Sequence, residues 1–441
     1  MTESHRSGQV NADVLIIGGG VIGLSIAWRA AQRGMRVAIA DPDPGRGASY
    51  AAAGMLTPVA EAAYAERALF ELGSASLREY PSFAAELAEV AGLPVGFRQT
   101  GTLLVGYDAD DMAMIAEHAT LREDFGVPSE RLTGRECRKT EPLLGPAIGG
   151  GLLVPDDASI DPRLLTSALL AALVKADVTC VRQLAARLLI HDGKAAGAEL
   201  ADGSTVGSGQ VVIAAGWASA RLTGLPPEAV PPVRPVKGQI LRLGPSPATL
   251  SSGLPPSLLT MTVRGIVQGS SVYLVPREDG ELVIGATQEE LGQDTAVTAG
   301  GIWQLLRDAR AIVPGITELE FAEAVARLRP GTPDNAPVIG PSALPGLVLA
   351  TGHFRSGVLL APVTADLIAS YLQTGSLATG ATPFLAQRFA SPATIPSAAG
   401  MASTVPPTAS TVPPTAGTAT SGPSAPGTAA AGLADREQSW K

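Results

Sequence analysis

The segment GGGVIG places Gly18, Gly20 and Gly23 at the spacing of a phosphate-binding glycine turn. It follows the apolar run 12–18, which is typical of a buried parallel strand, and it precedes a predicted helix. Gly18 would permit the tight turn, Gly20 the approach of a pyrophosphate to the backbone, and Gly23 the packing of the helix on the strand. Asp41 ends the next predicted strand, where a carboxylate can hold ribose hydroxyls. This context favours a dinucleotide site over an ordinary glycine-rich turn.

Two later segments would meet a dinucleotide at the same edge of the sheet. The loop 45–56 (GRGASYAAAGML) has small side chains directly after the predicted ribose-binding strand, so a flat ring can lie against its backbone. The stretch 211–219 (VVIAAGWAS) is an apolar strand that ends in Gly216 and Trp217, at the crevice where such folds bind ligands. Taken alone, the first segment is equally well explained as a surface loop, and the second is better explained as a plain buried strand.

Two arginines follow predicted strands further along the chain. Arg329 lies in ARLRPGT and Arg355 in ATGHFRSGVLLAP, each beside glycines. A helix is predicted from Gly357 to 373, and the amides at its start would face an electron-rich ring carbonyl. An isolated arginine is usually a solvent-exposed charge. Two arginines at strand ends, among apolar residues and glycines, instead favour recognition of a carboxylate.

The order of the predicted elements indicates how these residues are positioned. Strand–helix segments at both ends of the body surround long antiparallel strands that begin after about residue 225. A helix is predicted at 129–137, and two separate strands at 204–208 and 211–216. The pattern predicts an α/β (α+β two-domain) fold, in which a Rossmann-type nucleotide domain carries an inserted antiparallel-sheet substrate domain. The predicted segments are a disordered N-terminus (1–11), the nucleotide domain (12–80, 146–228 and 326–389), the substrate domain (81–145 and 229–325) and a disordered tail (390–441).

Composition excludes several other classes of protein. The 441 residues contain 32 Lys and Arg against 41 Asp and Glu, a net charge of −9 without a basic stripe, which argues against a nucleic-acid partner. Two distant cysteines and four histidines argue against a disulfide framework or a metal site and suit a reducing cytoplasm. The uncharged run 14–28 is too short to span a bilayer, so no membrane partner is expected. Residues 391–434 carry no charge and repeat STVPPTA, which predicts disorder there.

Taken together, the motifs GGGVIG, ASYAAAGML, VYLVPR with LVIGAT, LRPGT and GHFRSGVLLAP resemble the FAD-dependent D-amino acid oxidase family, most closely its glycine oxidases of the ThiO type. The resemblance covers nearly all of residues 12–389. It implies an FAD cofactor, held non-covalently because the cysteine that carries the flavin in related sarcosine oxidases is missing near LRPGT. The residues implied to contact FAD are Gly18, Gly20, Val21, Ile22, Gly23, Asp41, Pro42, Ala48, Ser49, Ala53, Gly54, Met55, Ala186, Gly216, Trp217, His353, Phe354, Arg355, Ser356, Gly357, Val358 and Leu359.

The resemblance also implies the residues that contact the substrate. Arg329 would clamp its carboxylate, Tyr273 would hydrogen-bond the same group, and Arg355 would lie nearby. Gln288 departs from the family pattern, because the glycine oxidases carry a methionine after the LVIGAT-like strand. The polarity of the pocket therefore differs, and the preference among glycine, sarcosine and D-alanine stays open.

The reaction implied is oxidative deamination of glycine with O2 to the imine or glyoxylate, ammonia and hydrogen peroxide. Hydride transfer from a neutral amine needs no protein base. Thiazole synthase is implied as an acceptor of the product in thiamine synthesis, and a homo-oligomer is expected. The alternatives are a related oxidase or dehydrogenase for sarcosine or D-amino acids that passes electrons to a quinone, an NAD-linked dehydrogenase, and a dinucleotide-binding protein without turnover. The arginines and Tyr273 count against the last of these.

Overall fold

The computed structural model describes residues 10–61, 66–245 and 257–389, which all belong to one compact unit. The disorder predicted for the tail from residue 390, and for residues 1–9, lies outside the described residues. Residues 10 and 11 were predicted to be disordered as well, and this is wrong because the first strand begins at Val10. They pair with the neighbouring strand at Val206 and Gly207.

The described residues form eighteen strands, nine α-helices and five short 3-10 helices. The strands are β1 (Val10–Ile17), β2 (Val37–Ala40), β3 (Met55–Leu56), β4 (Thr102–Gly106), β5 (Glu130–Thr133), β6 (Gly150–Val154), β7 (Ala158–Ser159), β8 (Thr179–Val181), β9 (Ala185–His191), β10 (Lys194–Leu200), β11 (Thr205–Ile213), β12 (Arg234–Gly244), β13 (Thr262–Val267), β14 (Ser270–Pro276), β15 (Leu282–Gly285), β16 (Glu320–Gly331), β17 (Val338–Pro341) and β18 (Leu347–Thr351). The helices are α1 (Val21–Gln32), α2 (Ala48–Ala51), α3 (Pro58–Glu61), α4 (Arg67–Ala91), α5 (Ala109–Asp124), α6 (Gly134–Thr140), α7 (Pro162–Lys175), α8 (Ala299–Ile312) and α9 (Ala361–Thr374). The 3-10 helices span Gly216–Arg221, Pro227–Ala229, Pro314–Glu318, Thr379–Phe384 and Ala386–Phe389.

The first sheet is the nucleotide-binding type that the sequence predicts. Its order is β17-β18-β11-β1-β2-β8, parallel except for β17, and β10 and β9 continue antiparallel from β11. Helices α1, α4, α7 and α9 cover one face and bury Trp28 against Phe83, with ring centroids 5.3 Å apart. The β9–β10 hairpin contributes to a second core on the opposite face. The carboxyl ends of β1, β2 and β11 therefore meet at one edge, where ligands bind in such folds.

The second sheet has the order β16-β12-β15-β14-β13-β4-β6-β5, antiparallel except between β13 and β4. Leu241, Leu274 and Ile284 point to one face and pack against Leu305 of α8. The other face carries Ile240 and residues of the adjacent strands, such as Val325. It packs against the loop that follows β2 of the first sheet. Because side chains alternate along a strand, residues two apart on these strands share a face.

The boundaries proposed for the two domains remain a prediction.

Several local predictions differ from the structure. The helix predicted at 129–137 is β5 followed by α6, because Thr133 caps the helix in a reciprocal hydrogen bond with Glu136 and so starts it later. The two strands predicted at 204–208 and 211–216 are one strand, β11, which runs through Gly209 beside β1. Asp161 caps α7, since its carboxylate accepts the amides of Arg163 and Leu164. No helix among the described residues combines the length and apolar character needed to cross a bilayer.

The contact between β1 and α1 gives a test of the glycine turn. A Cβ at Gly23 would lie 1.9 Å from the Gly18 carbonyl oxygen. We expect Gly23→Ala to lower the free energy of unfolding by about 2–3 kcal/mol, because the helix must move off the strand. Urea unfolding measures this change.

Gly20→Ala is the matched control for that substitution. Gly20 has φ −74°, and a Cβ there would meet only the Ser49 hydroxyl, at 3.5 Å. Its expected loss is at most about 1 kcal/mol, from the poor N-cap preference of alanine. Equal losses in the two variants would contradict the packing argument.

Candidate functional site

The first turn after β1 is shaped to receive a phosphate group. Gly18 has φ +110°, and a Cβ there would lie 2.5 Å from the Ala214 carbonyl oxygen, so only glycine fits without strain. The N-terminus of α1 has no side-chain cap and no acidic residue in its first turn. Ser49 accepts the Val21 amide at 3.0 Å, which ties the later loop to this helix end. The free amides and dipole of the helix end favour an anion here.

Asp41 lies at this turn, as the sequence predicts. Its carboxylate accepts the amide of Gly19 at 2.7 Å on one oxygen and that of Asp43 at 2.8 Å on the other. Each carboxylate oxygen can accept further donors. Asp41 is therefore oriented by the backbone while it keeps acceptor capacity for ribose hydroxyls. Pro42 follows it directly in the chain.

The loop after β2 is held against the second sheet by backbone contacts. Gly54 has φ +76°, and a Cβ there would lie 2.0 Å from the Ile160 carbonyl oxygen. Met55 pairs with Ser159 in the two-stranded β3–β7 ladder. Ala53 packs in the core that also contains Ile240. The predicted flavin-contacting residues Ala48, Ser49, Ala53, Gly54 and Met55 therefore form one fixed ledge between α1 and the second sheet.

Tyr50 anchors this ledge from its outer side. The guanidinium carbons of Arg163 and Arg46 lie 3.6 and 3.9 Å from its ring centroid. Its hydroxyl donates to Glu323 of β16 at 3.2 Å, and Glu323 also pairs with Arg163 at 2.6 Å. Arg327 donates to the Arg46 carbonyl at 3.1 Å. The second sheet and helix α7 thus clamp the residue next to Ser49.

The segment at the end of β11 closes the crevice from the other side. Gly216 has φ +56°, and no atom lies within 4 Å of where its Cβ would be. Its carbonyl accepts the Thr351 hydroxyl at 3.0 Å, which links the ends of β11 and β18. Trp217 is half-buried and lies beside Arg221, 5.6 Å from guanidinium to ring centroid. Both residues are therefore at the sheet edge that the sequence predicts.

Residues 353–359 form turns rather than the start of a helix. The helix predicted from Gly357 begins four residues later, at Ala361. The amides before it form hydrogen bonds of local turns instead, as the Ser356 amide does with the His353 carbonyl at 2.9 Å. The Val358 and Leu359 carbonyls accept the hydroxyls of Tyr80 and Ser76 from α4, at 2.5 and 2.6 Å. These bonds fix the segment that is predicted to surround the flavin ring.

The same segment is attached to the second sheet beside Arg329. Phe354, in the left-handed region at φ +45°, donates its amide to the Pro330 carbonyl at 3.0 Å. Its neighbour Arg355 is exposed, with its guanidinium 5.1 Å from the Phe354 ring centroid. Two substrate-binding candidates, Arg329 and Arg355, are thus carried on backbone segments joined by a hydrogen bond.

Arg329 and Tyr273 lie flat on one face of the second sheet, each over a glycine. A Cβ at Gly238 would lie 2.2 Å from Nη1 of Arg329, and one at Gly285 would lie 2.3 Å from the Tyr273 hydroxyl. Ile240 pairs with Gly285, so Gly238 and Gly285 are diagonal neighbours on adjacent strands, about 7–8 Å apart. The guanidinium and the phenol are therefore close enough to contact one small carboxylate.

The hydrogen bonds of Arg329 leave part of its guanidinium for a ligand. Nη1 donates to the carbonyls of Thr287 at 3.1 Å and Lys237 at 3.4 Å. Within the described ranges, Nη2 and Nε of Arg329 have no protein acceptor. The two carbonyls orient the group, and the other nitrogens can form the paired bonds that a carboxylate prefers.

Two predicted residues lie less centrally. Gln288 is exposed and follows Thr287, so its backbone is near Arg329 while its side chain faces solvent. Ala186 lies in β9, where its carbonyl accepts the Thr223 amide at 3.2 Å and hydroxyl at 2.8 Å. The strand before it, β8, does contact the site, because the carbonyl of its last residue, Val181, accepts the Asp41 amide at 3.1 Å. The roles of all these residues remain predictions.

Sequence reasoning missed several residues that build the site. Gly238 and Gly285 were not singled out, although a glycine among strand residues can signal close approach of another group. Arg277, the last residue of the quoted VYLVPR motif, is buried and donates to the Ala53 carbonyl at 2.6 Å. An arginine at the end of an apolar strand was the available signal. Nothing in the sequence pointed to Tyr50.

His353 gives a test of burial beside the site. It is 3 % exposed, its Nε2 lies 3.1 Å from the Thr364 hydroxyl, and burial lowers its pKa from 6.5 to about 3. Between these values the unfolded chain binds the extra proton, so this histidine makes stability fall as pH falls below about 6.5. We expect His353→Gln to remove up to about 1.4 kcal/mol per pH unit of that loss. Urea unfolding between pH 7 and 4 measures the slope.

The exposed His191 serves as the control for His353. His191→Gln keeps the wild-type slope if burial is the cause. The same slope in wild type and His353→Gln would show that His353 does not contribute.

The residues at this edge fit a dinucleotide. The glycine turn excludes side chains where backbone must be approached, the N-cap residue Gly20 has no side chain to cap α1, and the space beside Gly216 is open. Residues 13–371 match the family of DAO FAD-dependent oxidoreductases. Within the described residues, no group of three histidine, cysteine, aspartate or glutamate side chains is arranged to hold a metal ion.

Individual relatives support the same family. The chain is 32% identical over 375 residues to a glycine oxidase of Geobacillus kaustophilus, covering 84% of this chain and 96% of that protein. A crystal structure of glycine oxidase from Geobacillus kaustophilus superimposes with a TM-score of 0.77 at 31% identity, covering 86% of this chain and 99% of that one. A bifunctional ThiO/ThiG protein of Trichormus variabilis is 33% identical over 363 residues, and the chain spans about half, 52%, of its length. The chain belongs to the DAO family of FAD-dependent oxidoreductases, and its cofactor is FAD.

Proposed function

We propose that this enzyme catalyses the oxidative deamination of glycine with O2, to the imine and then glyoxylate and ammonia, with release of hydrogen peroxide. The observation that carries the proposal is the placement of Arg329 and Tyr273 on the sheet face that packs against the flavin ledge. The same face carries Ile240, Val275 and Val325, which leave an apolar floor around the two polar groups. A small substrate with one carboxylate suits such a pocket.

Different residues would bind the cofactor and the substrate. The α1 N-terminus, Ser49 and Asp41 would hold the phosphates and ribose of a non-covalently bound FAD. Arg329 and Tyr273 would fix the carboxylate, so that the α-carbon is held in one orientation. When bound, FAD supplies an acceptor for the hydrogen and two electrons of the α-carbon and passes the electrons to O2.

No side chain is needed to remove a proton if the amine arrives neutral. His353 is the histidine of this region, and it is buried against Thr364 with a pKa lowered to about 3 by burial. It therefore stays neutral and positions the 353–359 segment instead of acting as a base. The rate should then depend on the protonation state of the substrate amine.

The product would serve thiazole formation in thiamine synthesis. This part rests on the name of the bifunctional relative, whose remaining half has no counterpart in the matched residues of this chain. A related oxidase activity on sarcosine or a small D-amino acid is the second candidate. Gln288 is the reason for this second candidate: it differs from the methionine expected for the glycine oxidases, so their preference for glycine does not carry over to this chain.

Removing the guanidinium tests the carboxylate clamp. We expect Arg329→Ala to lower kcat/KM for glycine by about 10²–10³, because charge-assisted paired hydrogen bonds are lost at a partly buried position. The bound flavin should keep its yellow absorbance. A peroxide assay gives the rate, and the visible spectrum gives the flavin content.

Two variants make this test specific. Arg329→Lys keeps the charge without the planar fork and should recover only part of the activity. Arg310→Ala, at an exposed position on α8, should have no effect. Wild-type kcat/KM in Arg329→Ala would overturn the assignment.

Gln288 tests which small amine is preferred. We expect Gln288→Met to raise the ratio of kcat/KM for sarcosine to that for glycine about fourfold, since an apolar neighbour favours the additional methyl group by about 0.8 kcal/mol. Parallel peroxide assays on both substrates measure the ratio. Gln304→Met, on the distant helix α8, is the control. An unchanged ratio would place Gln288 outside the substrate pocket.

A further inference from the structure

A second cavity lies outside the flavin and substrate site. It has a volume of about 660 Å³ and is bounded by α3, one side of α4, the turn after α5 and the turn after β6. This volume is within the range of small-molecule sites, roughly 300–1,000 Å³. None of the residues assigned above to the flavin or the carboxylate clamp lines it. It therefore needs an explanation of its own.

One carboxylate in this cavity lacks a cationic partner. Asp157 lines the cavity and is 5 % exposed, and its Oδ2 is buried with no hydrogen-bond partner. Within the described part of the chain, no lysine or arginine nitrogen lies within 4.0 Å of this carboxylate. A buried carboxylate without a partner is costly, and cationic groups are the partners that offset this cost.

The positive charges near Asp157 act from a distance. Arg122 on α5 and Arg264 on β13 both lower its pKa, and Thr102 does so by hydrogen bonding, but burial dominates and raises that pKa to about 7. Repulsion from Asp156 contributes to this rise in the pKa. No lysine or arginine of the described residues therefore forms an ion pair with Asp157. A cation bound in the cavity would form one.

The rest of the lining is rich in acceptors. Glu71 and Asp156 also line the cavity, against one cation, Arg78, among its described lining residues. Pro81 lies within α4, so the Leu77 carbonyl four residues earlier lacks its helical donor, and both residues line the cavity. The lining therefore presents more acceptors than donors.

The remaining wall is apolar and aromatic. Phe70 and Phe125 stack with ring centroids 4.5 Å apart, and Val127 lies beside them in the same small core. Arg67 already lies 5.3 Å from the Phe125 ring centroid, which shows that this aromatic pair accommodates a cation. An apolar body attached to a positive group matches these surroundings.

We propose that this cavity binds a small organic cation, with a primary ammonium group on Asp157 and an apolar body against Phe70 and Val127. The cavity also reaches Pro58 and Val59 of α3, directly after the flavin ledge. An occupant would therefore contact the element that follows the ledge without entering the substrate clamp.

The test measures binding of benzylammonium to the full-length FAD-loaded enzyme by calorimetry, with benzyl alcohol as the neutral control of similar shape. We expect benzylammonium to bind and benzyl alcohol to bind at least about tenfold more weakly. Asp157→Asn should weaken benzylammonium binding at least about tenfold, because a neutral amide replaces the carboxylate as the partner of the ammonium group. Equal binding of the two probes, or unchanged binding in Asp157→Asn, would overturn the proposal.

A second variant covers the case in which Asp157→Asn does not fold. Ser74 is half-buried on α4 and lines the cavity, so Ser74→Phe fills the space without changing any charge. It should abolish benzylammonium binding and keep the flavin. Displacement by glycine, or loss of binding in Arg329→Ala with retention in Ser74→Phe, would place the probe in the substrate site and contradict the inference.

Discussion

The buried contact between Arg277 and the flavin ledge is the interaction on which the site depends. Arg277 directly follows β14, donates to the Ala53 carbonyl at 2.6 Å and the Ile160 carbonyl at 3.3 Å, and lies 3.4 Å from the Asp161 carboxylate. Burial lowers its pKa, and Asp161 opposes that effect. A buried guanidinium is tolerated only where carbonyls and a carboxylate surround it. The strand that carries Tyr273 is thereby fixed to the loop that carries Ser49.

Glycines, which have no side chain, are as important for the site as the buried charge of Arg277. The turn at Gly18 and Gly23 brings a helix end to the backbone of β1, and the strand positions Gly238 and Gly285 let Arg329 and Tyr273 lie flat on the sheet. Glycine in a strand interior weakens the strand, so its presence at two positions under functional side chains has a cost that packing must offset. In the proposed site, the same residue type would serve the cofactor through its backbone conformation and the substrate through the space that it leaves.

The sequence predicted the first sheet well because its signals are local. An apolar run, a glycine turn and Asp41 lie within thirty residues of each other. Contacts such as Tyr50 with Glu323, or Arg329 with the Thr287 carbonyl, join residues far apart in the chain. No periodicity encodes these pairs, so the clamp on the ledge could not be derived. The sequence predicted the start of α9 too early. Turns such as the one closed by the Ser356 amide and the His353 carbonyl use the amides that a helix would use, and the two are not distinguished by sequence pattern.

The two sheets therefore contribute to the site in physically different ways. The groups proposed to hold the phosphates and ribose, such as Ser49, Asp41 and the amides at the start of α1, come from turns that follow parallel strands. Groups toward the carboxylate come from the flat face of an antiparallel sheet, where each side chain can be exchanged separately. Because Arg277 and Tyr50 join the ledge to that sheet, the proposed cofactor contacts on the ledge do not depend on which side chains surround Arg329. This separation explains how Gln288 can differ from the glycine oxidase pattern in a chain that keeps the FAD-binding framework of the family.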